Sequence, residues 1–114
     1  MNTINPRRND IYLGVVPFAD SEGSTKRPVI IISSNHYNEN QPDVVVCCIT
    51  TNSTHECYFN IHESDLEYGK LDPESGPRTD MIVRLNKNNL KFKIGKIKEE
   101  CHKKLLDKIV ELIK

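Results

Sequence analysis

Pro28-Val29-Ile30-Ile31-Ile32-Ser33-Ser34 is the densest apolar run in the chain and is too continuous for a strand with one wet face. Its β-branched side chains are stiff at χ1 and fit a pleated surface. It therefore reads as a central strand, buried on both sides or buried on one and at a subunit contact on the other. Asp10-Ile11-Tyr12-Leu13-Gly14-Val15-Val16-Pro17 reads as a strand before it, ended by its proline, and Asp43 to Thr51 as a strand after it. Phe18 to Arg27, with Gly23 among Ser21, Ser24 and Thr25, reads as a polar, mobile loop, and Ser33 to Asn40 holds at most a short turn of helix.

Further on, Gly69, Pro73, Gly76 and Pro77 punctuate His62 to Asp80, which reads as loop. Met81 to Leu85 is a short strand, and Phe92 to Ile97 one more, with Gly95 at a close approach. Glu99 to Ile113 is a helix, because Cys101, Leu105, Ile109 and Leu112 make one apolar stripe with Leu106, Val110 and Ile113 beside it. Glu99 and Glu100 in its first turn suit the helix dipole. Short strands, variable loops and one terminal helix predict an all-β fold with a C-terminal helix, built on a small, strongly curved antiparallel sheet.

At 114 residues the chain fits a single domain, 1–114, burying about two-thirds of its extended-chain surface. No window is long and apolar enough for a membrane span, and Met1 to Pro6 lacks the apolar core of a secretory signal, so a cytoplasmic protein is expected. Sixteen basic and sixteen acidic side chains cancel, which argues against a strong non-specific nucleic-acid binder. Ten of the basic residues but only four of the acidic ones lie between Arg84 and Lys114, leaving an electropositive region for RNA or an acidic partner. Cys47, Cys48, Cys57 and Cys101 form neither a metal motif nor a disulfide framework, and core thiols are the simplest account. Neighbouring strand residues face opposite sides, so Cys47 and Cys48 do not share one ion; Cys57, His55 and Cys101 are the nearest approach to a soft-metal set. No metal and no cofactor are expected.

Several stretches together resemble the PemK/MazF family of toxin endoribonucleases. They are the opening Arg8-Asn9-Asp10-Ile11-Tyr12-Leu13, the Pro17-Phe18-Ala19-Asp20-Ser21 loop, Lys26-Arg27-Pro28-Val29-Ile30-Ile31-Ile32-Ser33-Ser34, Tyr37-Asn38, Ile49-Thr50, and Ile94-Gly95-Lys96-Ile97 before the last helix. The resemblance implies the PemK/MazF/CcdB-like toxin fold, a small SH3-like barrel that forms a homodimer. It also implies the toxin of a type II toxin-antitoxin system: a metal-independent endoribonuclease cutting single-stranded mRNA at a short sequence and restrained by a cognate antitoxin. The family's catalytic arginine falls on Arg27, its catalytic threonine on Thr50, and its mobile acidic loop on Ser21 and Glu22. The chain departs from the family pattern after Asp80-Met81-Ile82-Val83-Arg84, where Leu85 to Leu90 follows almost at once and a shortened strand is expected.

These residue types suit RNA cleavage through attack by the 2'-hydroxyl. Such an enzyme must stabilise charge on the phosphate oxygens and manage two protons. Arginine offers a planar five-donor fork for those oxygens, so Arg27 is assigned to charge stabilisation. Thr50 offers a hydroxyl donor on a stiff side chain. Glu22 is placed with them as a group that orients Arg27 or accepts a proton. Ser21, Lys26, Arg84 and Lys87 are expected on the RNA path. His36 and His55 are tempting ribonuclease histidines, but nothing in their spacing pairs them. Two alternatives stay open: a non-catalytic toxin or regulator of the same fold acting by protein binding, and an RNA-binding module without turnover. An acidic, initially disordered antitoxin tail is expected to cover Arg27 and the positive surface.

Overall fold

The computed structural model describes residues 4–17 and 24–114. Its strands are β1 (Asp10–Pro17), β2 (Ser24–Ile31), β3 (Asp43–Thr50), β4 (Leu66–Gly69), β5 (Gly76–Asn86) and β6 (Leu90–Ile97); the helices are α1 (Asn35–Asn40) and α2 (Glu99–Ile113). Single 3-10 turns at Glu63–Asp65 and Lys87–Asn89 lead into β4 and β6. The strands form one six-stranded antiparallel sheet in the order β4-β6-β1-β2-β3-β5.

The central run is buried as expected, with Val29, Ile30 and Ile31 all fully inaccessible. Each such side chain stabilises the fold by about 1.5–3 kcal/mol. Alternation sends them to two separate cores. On one face Ile11, Ile30, Cys47 and Ile49 pack with Phe59, Ile61, Leu66 and Ile97 beneath Cys101, Leu105 and Ile109 of α2. On the other, Val29 and Ile31 pack with Tyr12, Val16, Val44, Val46, Cys48, Leu85 and Leu90. Cys47 and Cys48 therefore do face opposite ways.

Among the described residues no helix packs on the second face; the sheet covers it by curling. β1 and β5 stand three places apart in the sheet order, roughly 14 Å if it were flat. Yet a Cβ added to Gly14 in β1 would lie 3.3 Å from Leu85 Cδ2 in β5. The missing side chain at residue 14 lets β1 come against β5, three strands away, so the sheet curls into the small SH3-like barrel with a C-terminal helix.

Three expectations need correction. Ser24–Arg27 is strand, because it pairs through its main chain with Gly14–Pro17, and main-chain pairing needs no apolar side chains. His62 to Asp80 contains β4 and the first part of β5. Its glycines are built into the pairing: a Cβ at Gly76 would sit 2.0 Å from Phe59 O, and Gly69 takes φ +99 where β4 crosses Gly95 of β6. β5, expected to be short, is the longest strand at 11 residues, because it begins at Gly76 opposite Thr50. Among the described residues no helix is long and apolar enough to cross a membrane.

Candidate active site

Arg27 lies in β2 directly opposite Gly14 of β1. Across the other edge of β2, Val29 pairs with Cys48 of β3. Carrying that antiparallel register two places further sets Arg27 opposite Thr50, and strand alternation puts both on the curled face of the sheet, with Val29 and Cys48. The β2–β3 ladder stops at Val29, next to Pro28, which has no N–H to give it. On its other edge β3 stays paired with β5 from Asp43 opposite Asn86 to Thr50 opposite Gly76, with a shift of register between Cys47 and Ile49. Proline thus ends the ladder where a gap between Arg27 and Thr50 is wanted. Both residues are half-buried at the rim of the inner core.

Cys48 forms the floor of this gap. Burial pushes its thiol up from the ordinary range, and the positive charge of Arg27 pulls it partly back, which places the guanidinium within electrostatic reach. Thr50 Oγ1 accepts a hydrogen bond from Asn52 N–H at 3.1 Å, leaving the hydroxyl proton for another acceptor. Asn52 in turn accepts from Thr54 Oγ1 at 2.8 Å, so the loop after β3 holds the threonine in a defined turn. A guanidinium and a hydroxyl donor on the same face of neighbouring strands are a pair that can grip the oxygens of one phosphate.

The remaining expected residues are distributed less evenly. Lys26 adjoins Arg27 but lies on the opposite face, exposed. Arg84 stands opposite Val45, five residues from Thr50 along β3, or roughly 17 Å. Its Nε is 3.1 Å from Asp43 Oδ2. Lys87 Nζ donates to the backbone carbonyl of Asn38, tying α1 to the turn after β5. Ser21 and Glu22 lie outside the described residues. His36 sits exposed on α1, while His55 follows Thr50 in the same loop, its Nδ1 accepting from Cys57 N–H at 3.1 Å. The Cys57, His55 and Cys101 set does not form: Cys101 is buried under α2, and His55 and Cys57 gather with Asp80. Asn52 reads in the sequence only as part of a polar turn, Asn52-Ser53-Thr54; its N–H bond to Thr50 Oγ1 is visible only in the structure.

Residues 7–113 match the model of the family described as PemK-like, MazF-like toxin of type II toxin-antitoxin system. The chain belongs to this family. Endoribonuclease MazF of Staphylococcus saprophyticus is 32% identical over 100 residues, spanning 87% of this chain and 83% of the relative. MazF of Deinococcus radiodurans superposes with a TM-score of 0.77 at 14% identity, over 97% of this chain and 98% of its own. A mycobacterial endoribonuclease solved in complex with its cognate antitoxin gives 0.71 at 21% identity, over 97% and 95%. The structural likenesses concern the fold.

Proposed function

We propose that this toxin cuts single-stranded mRNA at a short sequence without a metal ion, using Arg27 and Thr50 on one phosphate. The chain is the toxin component of a type II toxin-antitoxin system and an endoribonuclease, as its family and its Staphylococcus relative indicate. The observation that carries the residue assignment is the β2–β3 register, which extends to set Arg27 opposite Thr50 where Pro28 ends the ladder.

In the proposed reaction the scissile phosphate enters the seam between β2 and β3. Arg27 holds two non-bridging oxygens with its fork, and Thr50 donates its hydroxyl to one of them. The 2'-hydroxyl gives up its proton as its oxygen attacks phosphorus in line, the bond to the 5'-oxygen breaks, and that oxygen takes a proton from water, leaving a 2',3'-cyclic phosphate and a 5'-hydroxyl. Both groups strengthen their hold as charge builds on the oxygens, which is where they lower the barrier. Glu22 is assigned to orient Arg27 or take the 2'-hydroxyl proton. Ser21 and Lys26 are assigned to RNA binding, Lys26 from the opposite face of β2, while Arg84 and Lys87 meet RNA only away from the scissile phosphate.

The partners follow from two surfaces. Leu106, Val110 and Ile113, at i, i+4 and i+7 of α2, are exposed and apolar, as are Ile82 and Phe92. This is more apolar surface than a lone barrel needs to show, and we assign it to a homodimer. The excess of basic residues from Arg84 onward is assigned to an acidic antitoxin segment that competes with RNA, in line with the mycobacterial endoribonuclease captured with its antitoxin. Such a complex acts in the cytoplasm. The test is incubation of the purified protein with a long single-stranded RNA in EDTA, followed by mapping of 5'-hydroxyl ends. Ends recurring at one short sequence are expected; intact RNA, or cleavage only when a divalent ion is restored, would overturn the assignment.

A further inference from the structure

Outside the seam, the structure gathers one cluster that the proposed cleavage does not use. His55, Cys57 and Asp80 offer an imidazole nitrogen, a thiol sulfur and a carboxylate oxygen that all lie within 4.8 Å of one another. We propose that these three side chains bind a divalent transition-metal ion, zinc above all, at a site separate from the cleavage pair.

The donor set is the first reason. Sulfur, imidazole and one carboxylate match a borderline-soft ion and not magnesium or calcium, which take oxygen. Zinc holds such ligands at about 2.0–2.3 Å, which sets the donor atoms between 3 and 4 Å apart, so side-chain rotations closing the cluster by about 1 Å suffice.

The frame is the second. Thr79 of β5 donates both its N–H and its hydroxyl to Cys57 O, each at 3.0 Å, and Tyr58 bridges to Arg78. This fastens the His55–Cys57 loop to the strand that carries Asp80. Arg78 grips the carboxylate of Asp80 through Nε at 2.8 Å and a second nitrogen at 3.2 Å, fixing its orientation and leaving each oxygen a further lone pair. A groove of about 270 Å³ lined by Glu56, Cys57, Thr79, Lys108, Glu111 and Leu112 opens the Cys57 side of the cluster to solvent.

The tautomer is the third. His55 Nδ1 accepts from Cys57 N–H, so in the neutral ring that nitrogen carries the lone pair and Nε2 carries the proton. A metal at Nδ1 needs no proton removed from that nitrogen: it takes the lone pair in place of the Cys57 amide, which turns to water. The Cys57 thiol gives up its proton to the buffer as the sulfur–metal bond forms, so binding releases one proton per ion.

The site is also wired to Thr50. Thr50 Oγ1 accepts from Asn52 N–H, Asn52 O accepts from His55 N–H, and His55 Nδ1 accepts from Cys57 N–H. An ion that removes the last of these bonds anchors the loop from its far end and restrains the turn holding the hydroxyl.

Zinc affinity of the metal-stripped protein, measured by competition with a chromophoric chelator, tests the site, with cobalt as a spectroscopic probe. One equivalent per chain is expected, with one proton released and a thiolate-to-cobalt absorption band. Cys57→Ser and His55→Ala should each weaken binding by at least about tenfold, since even outer-shell changes around metals cost about 10–100-fold. Asp80→Asn, an exposed position that does not threaten the fold, should weaken it too. No stoichiometric binding at micromolar zinc overturns the proposal. So does binding that depends on Cys57 alone, which would mark a simple exposed thiol. Because RNA cleavage in EDTA is read separately, failure here leaves the assignment of Arg27 and Thr50 standing.

Discussion

The two faces of the β1–β2–β3 strip use the same β-branched residue types, yet one ends in a helix and the other in a gap. On the α2 side, Ile11, Ile30 and Cys47 are sealed under Cys101, Leu105 and Ile109, and every contact contributes to stability alone. On the inner side, Val29, Val46 and Cys48 lead outward along β2 and β3 to Arg27 and Thr50, which no helix covers. The difference teaches how one short sheet divides its labour. The face that must stay open is closed by curling, which leaves a rim, whereas a helix would have covered it.

If that division holds, substitutions on the two faces separate cleanly. Arg27→Ala is expected to lower the cleavage rate by about 10²–10⁴-fold while thermal unfolding stays near that of the parent, since the side chain is at the rim and not in the core. Normal cleavage by the folded variant would place the chemistry elsewhere. Thr50→Val keeps the shape of the strand end and removes one donor, so a loss of about 10²-fold is expected in single-turnover kinetics, again with little change in stability. On the opposite face the pattern reverses. Leu105→Ala should cost about 2–5 kcal/mol in denaturant unfolding, yet leave the cleavage rate of the folded fraction intact. A rate that fell with the stability would mean that the two faces are coupled.

The finest test is by pH. Burial pushes the Cys47 thiol up to about 12 and the Cys101 thiol up to about 11, against an ordinary value of 9.0. Below pH 9 both folded and unfolded chains keep these protons. Above it the unfolded chain loses them first, so stability is present at lower pH and falls as the pH rises from 9 towards 12. Replacing Cys47 by Ala should make that slope shallower by about one proton over this window, as measured by unfolding at a series of pH values. An unchanged slope would show that the thiol titrates normally and that the helix-covered face is wetter than its packing indicates.

The sequence carried the apolar parts of this architecture well. β1, β3 and α2 were visible because their burial writes itself as runs and stripes, and the PemK/MazF resemblance named Arg27 and Thr50. What stayed hidden was whatever depends on main-chain pairing between distant segments. Ser24–Arg27, β4 and the start of β5 are polar or glycine-rich strands, held by ladders whose other half lies elsewhere in the chain. Gly76 looked like a loop breaker and is a contact point, admitted because Phe59 O leaves no room for a Cβ. The facing of Arg27 and Thr50 follows from one register, Val29 with Cys48, that no local pattern encodes. Asp80 likewise could not be matched with His55 and Cys57 before Thr79 was seen fastened to Cys57.

Chain order gives the covering of the outer face a further meaning, in time. The strands that frame the seam, β1 to β3, are all in place within the first 50 residues, and their hairpin pairings are local enough to form early. Their outer surface, however, waits for Cys101, Leu105 and Ile109, which come more than fifty positions after Cys47. Until those residues arrive, Ile11, Ile30 and Cys47 face water and the hairpins are only marginally stable. A nascent chain therefore carries Arg27 and Thr50, the two groups proposed for cleavage, long before it can hold them in place. The seam is expected to become rigid only when the helix docks on the sheet.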